Sequence, residues 1–125
     1  MSAHTYQRRV RRVAPLPAFL FGSHYFGTAR PDSDIDCLAT DSAEARARLR
    51  RAGFVLVYLA NPASNQATRA VYESADDPPI HVALVSDVRR KLRVQQAMHA
   101  AGLGELLRDK NLAPKLWNFG LRLVP

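Results

Sequence analysis

Phe19-Leu20-Phe21-Gly22-Ser23-His24-Tyr25-Phe26-Gly27-Thr28-Ala29-Arg30-Pro31-Asp32-Ser33-Asp34-Ile35-Asp36 is the stretch on which the fold turns. Ala18 to Phe21 is wholly apolar and stops at Gly22, the pattern of a short buried strand. Ser23 to Thr28 reads as a brief helical turn with Ser23 near its start. Pro31, Asp32 and Ser33 mark a loop. Asp34 to Ala39 reads as a second strand, whose period of two puts Asp34 and Asp36 on one face and Ile35 and Cys37 on the other.

The chemistry follows from that arrangement. A strand that ends in Gly-Ser at a helix start presents backbone N–H groups to an anion, and glycine lets the anion come close. Two carboxylates on one strand face are hard oxygen ligands of the kind Mg²⁺ takes together with phosphate oxygens. A phosphate holder and a metal holder side by side suit a nucleoside triphosphate.

Outward from this stretch, Asp41 or Ser42 caps an expected helix over Ala43–Ala52. Gly53 is its stop, and Ala45, Leu49 and Ala52 form its buried stripe. Phe54–Ala60 is a strongly apolar strand broken by Asn61-Pro62. Thr68–Glu73 and Ile80–Val85 are two further strands around the turn Asp76-Asp77-Pro78-Pro79. Ser86 or Asp87 caps a helix through about Ala101, with Val88, Leu92, Gln95 and Met98 on one face. Short helices over Glu105–Lys110 and Pro114–Leu123 finish the chain. The order predicts an α+β domain, a small mixed sheet with helices packed on one face and C-terminal helices after it.

The 125 residues suit one domain, expected over 16–125, behind a basic arm at 1–15 in which Arg8, Arg9, Arg11 and Arg12 flank Val10. Eighteen Lys and Arg against eleven Asp and Glu leave a net charge of +7, almost all of the positive charge being arginine. Arginine forks match phosphate and carboxylate oxygens, so a phosphate-bearing partner fits, and so does a merely well-solvated surface. One cysteine, Cys37, excludes an internal disulfide and a cysteine-rich zinc site. No apolar run approaches the roughly 18 residues a membrane span needs, and none follows the N-terminal charges as a signal sequence would. A cytoplasmic protein with no membrane partner is the expectation.

The 19–36 stretch resembles the signature of the polymerase-beta nucleotidyltransferase superfamily, Gly-Ser followed after ten residues by Asp-x-Asp. It is most similar to the minimal nucleotidyltransferases: Gly22, Ser23, Gly27, Ala29, Arg30, Pro31, Asp32, Ser33, Asp34, Ile35 and Asp36 all fall in register. The resemblance is strong over residues 18–40 and extends in element order to about residue 86. It implies a palm-like sheet and a triphosphate held by Gly22 and Ser23. It also implies two Mg²⁺ or Mn²⁺ ions about 3.5–4 Å apart on Asp34 and Asp36. Ser33 would contact the nucleotide or orient Asp34, and Arg30 would neutralise phosphate or stay solvated.

Active members of that superfamily carry a third carboxylate on a later strand. In Ile80–Val85 the matching position is His81, and the segment has no Asp or Glu. A histidine with an ordinary pKa of about 6.5 can take a proton near neutrality, but it is a poorer Mg²⁺ ligand than a carboxylate. Glu73, Asp76 and Asp77 are the nearest acids in sequence. Two functions stay open. One is transfer of a nucleoside monophosphate from a triphosphate to a hydroxyl on a protein, an RNA or a small molecule. The other is a degenerate scaffold that binds or regulates a partner, in the manner of small phage proteins that target a host enzyme.

Overall fold

A computed structural model describes residues 16–123; the basic arm expected at 1–15 lies outside them. The elements run β1 (Phe19–Phe21), α1 (Ser23–Phe26), β2 (Ile35–Thr40), α2 (Ala43–Arg51), β3 (Val55–Leu59), β4 (Thr68–Glu73), β5 (Ile80–Val85) and α3 (Val88–Ala100). A 3₁₀ turn at Leu106–Arg108 and α4 (Ala113–Leu123) complete the chain. The α+β class holds, with each expected element present.

The five strands form one mixed sheet in the order β1-β2-β5-β4-β3. β2 and β5 run parallel and the other neighbours antiparallel. The parallel pair lies at the centre because the chain leaves β2 through α2 and the β3–β4 hairpin before it returns as β5, giving the long crossover that parallel strands require.

One face of the sheet carries Leu20, Ile35, Cys37, Ala39, Ala70, Tyr72, Ile80, Val82 and Leu84, packed with Ala45 and Leu49 of α2 into the larger core. Among the described residues the other face is covered at one end, where Val88 and Leu92 of α3 meet Phe21, Leu38, Ala83 and Val85. Helices therefore lie against both faces, which corrects the expectation of a single helical face. The reason is in the strands: Leu38 and Val85 have the same parity as Asp36 and His81 yet are apolar, so that half of the second face must also leave water.

Helix ends follow their capping residues. Ser42 Oγ accepts from Ala45 N–H at 2.9 Å at the start of α2, and Asp87 Oδ1 accepts from Arg90 N–H at 3.0 Å at the start of α3. Ala52, expected in the α2 stripe, is exposed because α2 has ended at Arg51. β3 is the largest surprise. It forms an edge of the sheet, and Val55, Leu56, Val57, Tyr58 and Leu59 are all exposed, at 41–63%. Among the described residues no helix is long and apolar enough to cross a membrane.

Candidate functional site

The register brings the site together from four strands. Phe21 pairs with Asp36, Asp36 with His81, His81 with Glu73, and Glu73 with Val55, so one lateral row of Cα partners crosses the whole sheet. Side chains of one row share a face in a pleated sheet. Asp36, His81 and Glu73 consequently project into the same space. Asp34, one pleat earlier on the same face, joins them.

The distances match. His81 Nδ1 lies 3.4 Å from Asp34 Oδ2 and 3.5 Å from Asp36 Oδ1. His81 Nε2 lies 2.8 Å from Glu73 Oε1. A carboxylate only accepts, so the short contact makes Nε2 the donor and turns Nδ1 toward the two aspartates. One imidazole thus stands among three carboxylates. Burial pulls its pKa down, but the hydrogen bond it donates to Glu73 and the charges of Asp34, Asp36 and Glu73 outweigh burial and leave it raised. Burial also raises the Asp36 carboxyl, and the Asp34 charge adds to this while His81 opposes it.

The Gly22–Ser23 turn sits over this cluster. Gly22 has φ 75° and ψ −145°, a conformation essentially closed to residues with a side chain. A Cβ on Gly22 would stand 3.6 Å from Asp36 Oδ2, so the turn and the carboxylate are in contact distance. The turn is held from behind by Gln95 of α3, which is 1% exposed. Its Oε1 accepts from Gly22 N–H at 3.0 Å and its Nε2 donates to Leu20 O at 3.1 Å. Gly22 N–H is therefore already occupied. Ser23, whose hydroxyl makes no hydrogen bond among the described residues, lines a cavity of about 110 Å³ together with Thr28, Arg108 and Trp117.

The remaining expected residues fall at the margin. Ser33 Oγ accepts from Arg30 N–H at 3.0 Å, which closes the 30–33 turn. The Arg30 side chain is exposed and makes no ion pair among the described residues. His24, expected to face solvent or a neighbouring loop, is 4% exposed and meets the loop, Nε2 donating to Ser33 O at 3.1 Å. It thereby fixes the loop that leads into Asp34. Cys37, on the opposite face, is fully buried, and burial with the nearby Asp36 charge pushes its thiol up to about 12, which makes it inert packing. Asp76 and Asp77 stay exposed in their turn.

Two residues carry more than their sequence positions suggest. Gln95 reads as part of an apolar helical stripe, and its only signal is that an amide there must find buried partners. Glu73 reads as a strand end, and the short turn to Ile80 is the signal that makes it the cross-strand partner of His81.

The donor set bears on the cation that the family resemblance implies. Among the described residues no group of three or more His, Cys, Asp or Glu forms a metal cage on its own. Asp34 and Asp36 nevertheless stand close together, both within 3.5 Å of His81 Nδ1. Two carboxylates with oxygen ligands from elsewhere are a set that Mg²⁺ accepts, so the chemistry of the pair suits such a cation. In comparisons with known proteins, the chain matches no family model, no curated protein and no solved structure.

Proposed function

We propose that this face of the sheet binds a nucleoside triphosphate with a divalent cation, Mg²⁺ or Mn²⁺, and transfers its nucleoside monophosphate to a hydroxyl. The observation that carries the proposal is that Asp34 and Asp36 both face His81 Nδ1 while the Gly22 turn lies in contact distance of Asp36. Asp34 and Asp36 would hold the cation, whose contribution is to neutralise phosphate charge and polarise the α-phosphorus. Ser23 would contact the phosphates through its hydroxyl, and Gly22 keeps the approach clear of a side chain.

His81 takes the place of the third carboxylate as proton acceptor. The acceptor hydroxyl attacks the α-phosphorus, a new P–O bond forms, the α–β bridging bond breaks, and pyrophosphate departs with its electron pair. The hydroxyl proton passes to His81 Nδ1, and Glu73 stabilises the resulting imidazolium through Nε2, as an orienting carboxylate does in other acid–base pairs. A protein or RNA acceptor delivered by a partner fits best, because the described residues form one sheet with no second lobe facing the site.

A second reading rests on the same histidine. His81 stands among three carboxylates whose charges raise its pKa, so the ring, once protonated, would offset part of their charge without a metal. A scaffold so neutralised would bind a partner and not turn over.

The two readings separate in one experiment. The protein is incubated with labelled triphosphates, Mg²⁺ or Mn²⁺ and cell extract, and label transfer is followed. Transferase activity predicts transfer that falls by at least about a hundredfold, the scale of removing a principal electrostatic group, in Asp34→Ala and Asp36→Ala. Absence of transfer with either metal, in a protein that still binds a partner after both substitutions, would establish the scaffold.

A further inference from the structure

A cavity of about 470 Å³ opens between the sheet and α4, bounded by Phe21, Tyr58, Gln66, Lys91, Trp117 and Asn118. Its volume lies in the range of small-molecule sites. Phe21 and Trp117 pack together in its wall with ring centroids 4.8 Å apart and planes tilted by 33°. Such aromatic walls suit a flat ring, since every heteroaromatic base offers a π-face.

The cavity adjoins the Gly22–Ser23 turn. Phe21 is the strand partner of Asp36 and directly precedes Gly22. Trp117 lines both this cavity and the smaller one over Gly22 and Ser23. A ligand with its phosphates at the turn can therefore lay its ring beside Trp117.

Lys91 sets the polarity of the interior. It is half-buried, and its nearest partner is Thr68 Oγ1 at 3.5 Å. Among the described residues no carboxylate lines the cavity, and burial pushes the lysine's pKa down. An ammonium is a donor only, with three N–H groups and no lone pair. It is satisfied by an oxygen acceptor and repelled by an amine at the same place.

We propose that this cavity takes the base of the nucleotide and that Lys91 makes it prefer the oxo bases, guanine and uracil, over adenine and cytosine. The proposal rests on the triphosphate reading of the neighbouring site. Guanine O6 and uracil O4 present a carbonyl where adenine and cytosine present an exocyclic amine. Gln66 and Asn118 each bring both a donor and an acceptor, so they complete recognition of either oxo base without choosing between the amine and the carbonyl.

The test uses the only tryptophan of the chain, Trp117, as its own reporter. The full chain is titrated with GTP, UTP, ATP and CTP in the presence of Mg²⁺, and tryptophan emission and calorimetry are followed. GTP and UTP are expected to bind roughly tenfold to a hundredfold more tightly than ATP and CTP, the worth of one hydrogen bond from a charged donor. Lys91→Met is expected to level the four. Equal affinities in the unaltered chain overturn the proposal, whatever the variant does. A preference that survives in Lys91→Met overturns it equally. Guanosine without phosphates distinguishes the two layers. If it quenches Trp117 in a Lys91-dependent way while the triphosphate adds nothing, the cavity stands and the triphosphate reading falls. If no nucleotide or nucleoside binds, both fall.

Discussion

Glu73 Oε1 lies 2.8 Å from His81 Nε2, and the two residues face each other as Cα partners across the β4–β5 pair. The register of a single hairpin thus fixes which ring nitrogen of His81 looks at the aspartates.

Glu73→Gln should lower the His81 pKa, because the neutral amide keeps a hydrogen-bond acceptor but removes a charge. An NMR titration of the His81 ring measures this directly. The stability consequence has a definite sign. His81 titrates above its unfolded value, so its stabilising contribution is complete below about pH 6.5, the ordinary histidine pKa. It is lost as pH rises through the folded value. The variant should show less loss across that window. An unchanged titration would mean that Glu73 does not govern the ring.

Asp36 carries the complementary signature. Its folded pKa is raised above 3.8 by burial, so the folded protein binds the proton more tightly than the unfolded chain. Stability from this group therefore falls as pH rises from the ordinary value through the raised one. Asp36→Asn should abolish that slope, as read by denaturant titrations at a series of acid pH values. A slope that persists assigns the effect to another carboxyl.

Gln95→Met should destabilise the domain by about 1–3 kcal/mol, the penalty for a buried donor left without its acceptor. The donor is Gly22 N–H. Urea unfolding gives the magnitude, and faster hydrogen exchange at the Gly22 amide would localise it. Normal stability with an unchanged Gly22 amide would show that Gln95 does not hold the turn.

Gly22→Ala should cost about 1–3 kcal/mol through its backbone conformation alone. A Cβ there meets Asp36 Oδ2 at 3.6 Å, an ordinary contact. Adding Asp36→Ala, which removes that contact, should therefore recover nothing. Recovery in the double variant would mean that the penalty is steric.

Gly120→Ala behaves differently because space is lacking. Its Cβ would fall 2.8 Å from Val94 Cγ1, and Val94 is fully buried. Overpacking of this kind costs about 1–3 kcal/mol. In a Val94→Ala background the clash is gone, and the same change should become stabilising by up to about 1 kcal/mol through helix propensity. A double-mutant cycle on thermal unfolding tests the reversal of sign.

What the sequence made legible was local. The β1–turn–β2 unit could be read because strand, glycine and alternating carboxylates lie within eighteen residues, and Ser42 and Asp87 announce their helices in the residues they cap. What it hid was set by distance and by the second face of the sheet. Gln95 meets Gly22 across 73 positions, and no local pattern encodes that contact. The covered end of the aspartate face follows from Leu38 and Val85 only once β2 and β5 are known to be neighbours. Composition likewise marks β3 as apolar without saying that it lies at an edge, because five consecutive apolar residues suit a central strand equally well.

The two edges of the sheet are not equivalent. At β1 the amide of Gln95 engages the backbone at Leu20 and Gly22, whereas β3 borders the sheet with no charged residue between Phe54 and Thr68. Lysines, prolines or bulges that usually blunt an edge are missing from the strand itself, apart from the register shift at Leu56/Tyr58. Among the described residues the β3 edge meets no further strand, so a strand laid beside it would extend the layer through main-chain hydrogen bonds alone.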